Sequence, residues 1–348
     1  MADEAVKPPN MFDVAARAHV SQRTVSNVLS GTVRVSPGTR ERVERAIREL
    51  GYKPNLAARS LRQGRTDTIG VVMPLLQWPY YAELAHLIRS EADALGYRML
   101  VLETGADEAA ERRILRELNA SLVDGVILSA LAISGDDLTG LGVDLPIVLL
   151  GERLSGLDML HLSIDNAQAA AEVAAHLHDQ GARSFWVVGS SATAITASAG
   201  HRRLTGFVDG LRERGVPESA WTQYEVSPWT LEGGYAAVRS VLEAARDAGR
   251  LPDAVYCMND LVALGVMRAC WELGVRVPED LLLTGWDDTA ATSYTAPPLT
   301  VISPDKEGIA RGAVRGLVSL VRGEGVERTE QTVGHRLVVR GSTQRTRP

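Results

Sequence analysis

Residues 12–31 read FDVAARAHVSQRTVSNVLSG. Two helical patterns lie here with almost nothing between them. In the first, Phe12, Ala15, Ala16 and Ala18 fall near helical spacing, and Asn10 is placed to cap the helix. The second opens on Ser21 as a cap, sets Val25, Val28 and Leu29 on one face, and is stopped by Gly31. The link is about three residues, around His19 to Ser21. That is the spacing of a helix-turn-helix, whose second helix enters the DNA major groove N-terminus first. Its leading side chains would be Gln22 and Arg23, with Ser26 and Asn27 one turn on. Arg pairs bidentately with guanine, and Asn or Gln with adenine, so this is a chemically competent reading face.

Outward from this stretch, VSPGTRERVERAIRELGYKPN (35–55) supplies a third helix. Ser36 is its cap, Pro37 takes the first helical position, and Val43, Ile47 and Leu50 recur at i, i+4 and i+7 before Gly51. Three small apolar faces can share one core. Charge supports the same reading. Residues 1–66 carry 12 Lys/Arg and 6 Asp/Glu, a net of +6, whereas the rest carries 25 basic and 37 acidic residues, a net of −12. A basic head on an acidic body suits a head that meets a polyanion. After it, PNLAARSLRQGRT (54–66) could form about two helical turns capped by Asn55, too short to persist alone in water.

From Thr68 the pattern changes to alternation. TIGVVMP (68–74), YRMLVLET (97–104), DGVILSA (124–130), PIVLLG (146–151) and HLSIDN (161–166) read as strands with helices among them. A second series runs through SFWVVGS (184–190), AVYCMND (254–260) and LLLTGWDD (281–288). Near-continuous apolar strands between helices imply parallel sheets covered on both faces, and two series imply two doubly wound lobes. Ligands bind such sheets beyond the carboxyl ends of the strands. Tyr80, Tyr81, Arg203, Trp229, Asn259 and Asp287 collect there. Aromatic faces stack on sugar rings or bases, while Arg, Asn and Asp hydrogen-bond to hydroxyls.

These residues, together with AARSLRQGRTDTIGVVMP (57–74), closely resemble the N-terminal module of LacI/GalR-family transcription regulators over residues 11–73, and the resemblance continues over the body. It implies a small all-α helix-turn-helix head (10–54) and a hinge helix and linker (55–66). An α/β periplasmic-binding-protein-like body (67–343) of two doubly wound parallel-sheet lobes would follow. The N-lobe would hold about 67–167 and 301–327, and the C-lobe about 168–300 and 328–343. The resemblance makes Gln22 and Arg23 the principal base readers and Asn27 a further one. Thr24, Ser26 and Ser36 would touch phosphate, fixing register without reading sequence. In the hinge, Asn55 would cap, Ala58 would let two helices approach in the minor groove, and Leu61 would wedge open a central base step. WPYYAEL, HRRLTGF, SPWTLEGGY, MNDLVALG and TGWDD match the family's effector segments through Tyr80, Tyr81, Arg203, Trp229, Asn259 and Asp287. Together they favour a polyhydroxylated effector, a sugar or sugar derivative, over a purine. Two departures stand out: ATAITASAGHRRL (192–204) is alanine-rich where other members place polar contacts, and Pro304 occupies the lobe-crossing segment.

The remaining features exclude other classes. At 348 residues, 45% hydrophobic and 23% charged, the chain can bury a sizeable core. It has no run of about 18 apolar residues, no signal-peptide pattern at its start, and only Cys257 and Cys270, so a cytoplasmic protein without disulfides or a membrane partner is expected. P-loop, G-x-S-x-G, H-E-x-x-H, C-x-x-C and G-x-G-x-x-G motifs are missing, and His176 and His178 would point to different helix faces. No catalytic residue, metal or cofactor is therefore expected. The C-terminal GSTQRTRP shows no leucine heptads, which favours a homodimer over a tetramer. The expectation is a repressor of sugar-metabolism genes on a pseudo-palindromic operator. The alternative is a sugar-binding receptor whose basic head does not read DNA.

Overall fold

The structure, a computed structural model, describes residues 9–30, 33–53, 64–154, 156–189, 198–326 and 330–345. Asn55, Ala58 and Leu61 of the expected hinge lie outside the described residues, as does Gly31. The chain divides into two compact units, one ending at Thr66 and one beginning at Asp67.

The first unit contains α1 (Met11–Ala18), α2 (Gln22–Ser30) and α3 (Pro37–Leu50). Each start is secured by a side chain. Asn10 Oδ1 accepts from the Phe12 amide at 2.7 Å while Asp13 accepts from the Asn10 amide at 2.8 Å, a reciprocal capping box. Ser21 Oγ accepts from the Thr24 amide at 3.1 Å, and Ser36 Oγ from that of Thr39 at 3.4 Å. His19 ends α1 in the left-handed conformation (φ 52°) and turns the chain directly into α2. Val14, Val25 and Val43, one from each helix, are fully buried at the centre, with Ala15, Ala18, Val28, Ala46 and Tyr52 around them. The inward register of α1 differs from expectation. Val14 and Ala18, four residues apart, face the core, whereas Phe12 is 69% exposed.

The second unit holds two six-stranded sheets. The first contains β1 (Thr68–Met73), β2 (Arg98–Glu103), β3 (Gly125–Leu128), β4 (Ile147–Leu150) and β5 (Leu160–Ile164). The second contains β6 (Phe185–Val188), β7 (Trp221–Tyr224), β8 (Ala254–Cys257), β9 (Leu282–Trp286) and β10 (Thr300–Pro304). Two late strands split between them: β11 (Glu330–Val333) joins the first sheet and β12 (His335–Val338) the second, giving orders β11-β5-β4-β3-β1-β2 and β12-β10-β9-β8-β6-β7. Pairing is parallel except between β10 and β12. Every residue of β1, β3, β4, β8, β9 and β10 is buried, as sheets covered on both faces require.

The crossings between sheets differ from the expected lobe boundaries of 301 and 328. β10 pairs with β9 in the second sheet, and β11 pairs with β5 in the first. The chain therefore crosses at Asp305 and returns at Gly334. Neither TVISP of β10 nor EQTV of β11 names its pairing partner, so composition alone cannot assign them.

Helices cover the sheets: α4 (Pro79–Ala94), α5 (Glu108–Glu117), α6 (Gly135–Gly140), α7 (Asn166–Asp179), α8 (Ala199–Glu213), α9 (Leu231–Asp247), α10 (Asp260–Leu273) and α11 (Lys306–Val321). Two pairs pack backbone to backbone through glycine. A Cβ on Gly206 would sit 2.1 Å from the Ala167 carbonyl oxygen, and one on Gly265 would sit 2.2 Å from that of Leu231. The alanine run of α7 and the glycines of α8 are thus the two faces of one close contact.

Candidate functional site

In the head, α2 is two-sided. Val25 and Val28 face the core, while Arg23 is exposed and Gln22, Ser26 and Asn27 are half-buried. Gln22 and Arg23 make no hydrogen bond or ion pair among the described residues, so their donors and acceptors stay available for base edges. Thr24 and Ser36 stand at helix starts: Thr24 Oγ1 is 2.9 Å from Ser21 Oγ, and Ser36 Oγ donates to Thr39 Oγ1 at 2.9 Å. A helix N-terminus carries unsatisfied amides and partial positive charge, the setting that favours a phosphate.

In the body, Tyr80, Tyr81, Arg203, Trp229, Asn259 and Asp287 all line one cavity of about 850 Å³. The two lobes contribute different chemistry. Tyr80 and Tyr81 open α4 and meet edge to face with centroids 5.2 Å apart, and Trp78 stacks on Tyr81 at 6.0 Å. Burial pushes both phenols up, so they remain neutral donors.

Opposite them, Arg203 is 9% exposed and anchored on three sides. Its Nε donates to Asn166 Oδ1 at 2.7 Å, its Nη1 donates to the Met258 carbonyl at 2.5 Å, and its plane lies 4.2 Å over the Trp286 ring. Trp286 continues an aromatic column through Tyr256 to Phe207, so the guanidinium rests on rigid core. Trp229 lies 5.7 Å from the same guanidinium and donates its Nε1 proton to the Gly189 carbonyl.

Asn259 is already engaged. Its Oδ1 caps α10 through the Val262 amide at 2.9 Å, and its Nδ2 reaches the Trp229 carbonyl at 3.4 Å. It therefore positions Trp229 as well as facing the cavity.

Asp287 follows β9 with φ 102°, in the left-handed region that costs a non-glycine residue on the order of 1–3 kcal/mol. Such strain, held by fixed surroundings, aims the carboxylate. Burial drives its pKa up to about 7 against the lowering fields of Arg203 and Lys306. Its carboxylate makes no hydrogen bond or ion pair among the described residues and is open to a ligand.

Residues 10–55 match the model described as bacterial regulatory proteins, lacI family, and residues 174–343 match a periplasmic binding protein-like domain. The HTH-type transcriptional regulator DegA of Bacillus subtilis (strain 168) is 33% identical over 342 residues, covering 96% of this chain and 97% of its own. The chain belongs to the lacI family of bacterial regulatory proteins. It is a DNA-binding transcription regulator with a helix-turn-helix head and a periplasmic-binding-protein-like body. Among solved structures, a lac repressor dimer bound to operator and the anti-inducer ONPF superposes with a TM-score of 0.81 at 28% identity, covering 97% of this chain and 99% of the other. A complex of the transcriptional regulator CelR with cellobiose gives 0.68 at 29% identity, covering 96% and 99%.

Three contributors to this lacI-family cavity were not foreseen from sequence. Glu152, after β4, lines the cavity and accepts a hydrogen bond from Asn166 Nδ2. Asn166 in turn receives Arg203, so a Glu–Asn–Arg chain crosses from one lobe to the other. Trp286 supports Arg203 from below. The residue beside Asp287 in TGWDD was the available signal for Trp286. Glu152 and Asn166 carry none, because only the packing of the fold brings the turn after β4 to the start of α7. Within Ala192–Leu204, residues 192–197 lie outside the described residues. Ser198 caps α8, accepting from the His201 amide at 3.2 Å. No helix among the described residues is long and apolar enough to cross a membrane.

Proposed function

We propose that the chain is a cytoplasmic homodimeric repressor, not an enzyme. A sugar or sugar derivative bound between its lobes would control its grip on a pseudo-palindromic operator. The observation that carries this reading is the cavity itself: aromatic faces from one lobe meet a fixed guanidinium and an open carboxylate from the other. Aromatic planes suit the apolar faces of a sugar ring, and Arg203 and Asp287 suit its hydroxyls as donor and acceptor. The cellobiose complex of a family relative supports the same ligand class.

At the DNA, the head (10–54) would set α2 in the major groove, with Gln22, Arg23 and Asn27 reading bases while Thr24, Ser26 and Ser36 hold phosphates. The segment 55–66 would form the hinge, with Asn55 as cap, Ala58 at the close approach of two copies, and Leu61 inserted at a central base step. Pyrimidine–purine steps unstack most easily, so one is expected there. The body (67–343) would bind the effector and dimerise. Because binding is linked, the factor by which effector changes operator affinity equals the factor by which operator changes effector affinity.

The test is a salt titration of the full chain on operator DNA chosen from a palindromic duplex library. Each phosphate neutralised should contribute about 0.9 to the slope of log K against log salt. A selected duplex bound no more tightly than random DNA would overturn the proposal.

A further inference from the structure

Three carboxylates line the cavity, Glu152 from one lobe and Asp260 and Asp287 from the other. Burial holds Asp260 well above the ordinary carboxylate range, and its Oδ2 accepts from the Thr289 amide at 2.8 Å and hydroxyl at 2.9 Å. Glu152 and Asp287 have no ion-pair partner among the described residues. Both fields reach the phenols of Tyr80 and Tyr81 and raise them further. Glu152 is 8% exposed, and burial raises its pKa despite the opposing fields of Arg203, His161 and Arg202.

The nearby cations are committed elsewhere. Arg153 Nε donates to the Ile133 carbonyl at 3.0 Å and its Nη2 to that of Ala132 at 2.6 Å. Lys306 is paired with Glu83 and donates to the carbonyls of Asp287 and Asp288 at 3.0 Å each. Arg203 spends its Nε–H and one Nη1–H on the protein, so only part of its donor fork is left for a ligand.

The helix ends are also largely spent. Those of α8 and α10 are capped by Ser198 and Asn259, so the dipole sites that commonly attract phosphate are occupied by the protein's own oxygens. The start of α4 has no side-chain cap, but it offers its amides to a neutral oxygen as readily as to an anion. Residues 190–197, which precede Ser198, contain no ionisable side chain.

We propose that this cavity admits an effector without an acidic group, a neutral polyol or an amino sugar, and that Glu152 and Asp287 together exclude phosphorylated and uronic counterparts. The inference rests on the polyol reading above and narrows it. An ionised carboxylate is an acceptor only, so it rewards a ligand hydroxyl or ammonium and penalises a third anion. At about 850 Å³ the cavity has room for a phosphate, so charge rather than size makes the discrimination.

The experiment titrates the full-length protein, by thermal shift and calorimetry near pH 8, with matched sets. These are glucose, glucosamine and glucose 6-phosphate; galactose and galacturonate; cellobiose and cellobionate. The expected result is that a neutral or amino member binds and its acidic counterpart binds roughly 100-fold more weakly, as like-charge juxtaposition in a buried site implies. Glu152→Gln should narrow that ratio about tenfold by removing one of two repelling charges. Asp287→Asn, run in parallel, should narrow it similarly and keeps the test intact if Glu152→Gln does not fold. Equal or tighter binding of the acidic member, or an unchanged ratio in both variants, would overturn the inference while leaving the polyol reading standing. Binding of no member of any set would overturn the polyol reading and this inference with it.

Discussion

Glu83 and Lys306 form an ion pair within the first lobe that is completed by the second. Glu83 lies on α4 and Lys306 opens α11, both packed on the first sheet. The other oxygen of Glu83 accepts from the Ala290 amide at 3.0 Å, and Lys306 donates to the Asp287 and Asp288 carbonyls across the cleft. Asp288 is held from its own side by Arg340 at 2.7 Å. The pair is therefore a fastener between lobes, seated directly behind the strained Asp287. Such a contact can be made in one arrangement of the lobes and lost in another.

Lys306→Met should loosen this fastening. It removes a part-buried charge and leaves Glu83 only one amide donor, at a cost of about 1–2 kcal/mol to the closed arrangement. Effector affinity should fall roughly tenfold, since closure is then less populated. Calorimetry checks the affinity and small-angle scattering the radius of gyration. Unchanged values in both would show that the pair does not control closure.

Gly265→Ala should destabilise the body by about 2–4 kcal/mol, because overpacking two helix backbones forces them apart. The new Cβ would meet the Leu231 oxygen at 2.2 Å and the Tyr235 nitrogen at 2.6 Å. Gly140→Ala is the control, since nothing lies within 4 Å of its Cβ. Thermal unfolding should separate the two variants clearly, and equal melting temperatures would refute the packing account.

Asp287 makes effector binding pH-dependent. Its folded pKa of about 7 lies above the ordinary carboxylate value, so its contribution to stability is greatest in acid and is lost as pH rises through 7. A hydroxyl that donates to Asp287 favours the ionised form. Effector affinity should therefore rise between about pH 6 and 8 and then level off, with Glu152, also raised by burial, acting in the same direction. Asp287→Asn should flatten that slope while leaving operator binding intact. A slope of opposite sign would mean that the ligand accepts from Asp287 rather than donating to it.

Much of this was legible because it is local. Asn10, Ser21 and Ser36 cap their helices as their positions before apolar repeats imply, and the eight runs read as body strands hold β1 to β6, β8 and β9. The six candidate cavity residues converge because all follow strand ends, and that topology is itself readable from alternation. What escaped depends on distant packing. Phe12 is apolar yet exposed, because the small head core is filled by valines. β10 and β11 are exchanged between sheets relative to expectation, because pairing partners and not composition assign them. Glu152, after β4, and Asn166, at the start of α7, lie 14 residues apart and meet only once the fold is assembled.

Leu61→Ala tests the hinge proposal. A wedge that unstacks a base step acts only on specific DNA, so operator affinity should fall by about 2–3 kcal/mol with little change in melting temperature. An equal loss of specific and nonspecific affinity would argue against the wedge.

The most direct test of the central claim, a sequence-reading repressor head, is selection of the full chain against a random palindromic duplex library, repeated with Arg23→Ala. The native chain should select a pseudo-palindromic consensus. The variant should lose preference at one position in each half-site, at a cost of roughly 1–3 kcal/mol. No consensus above random DNA, or a uniform loss at all positions in Arg23→Ala, would contradict the claim.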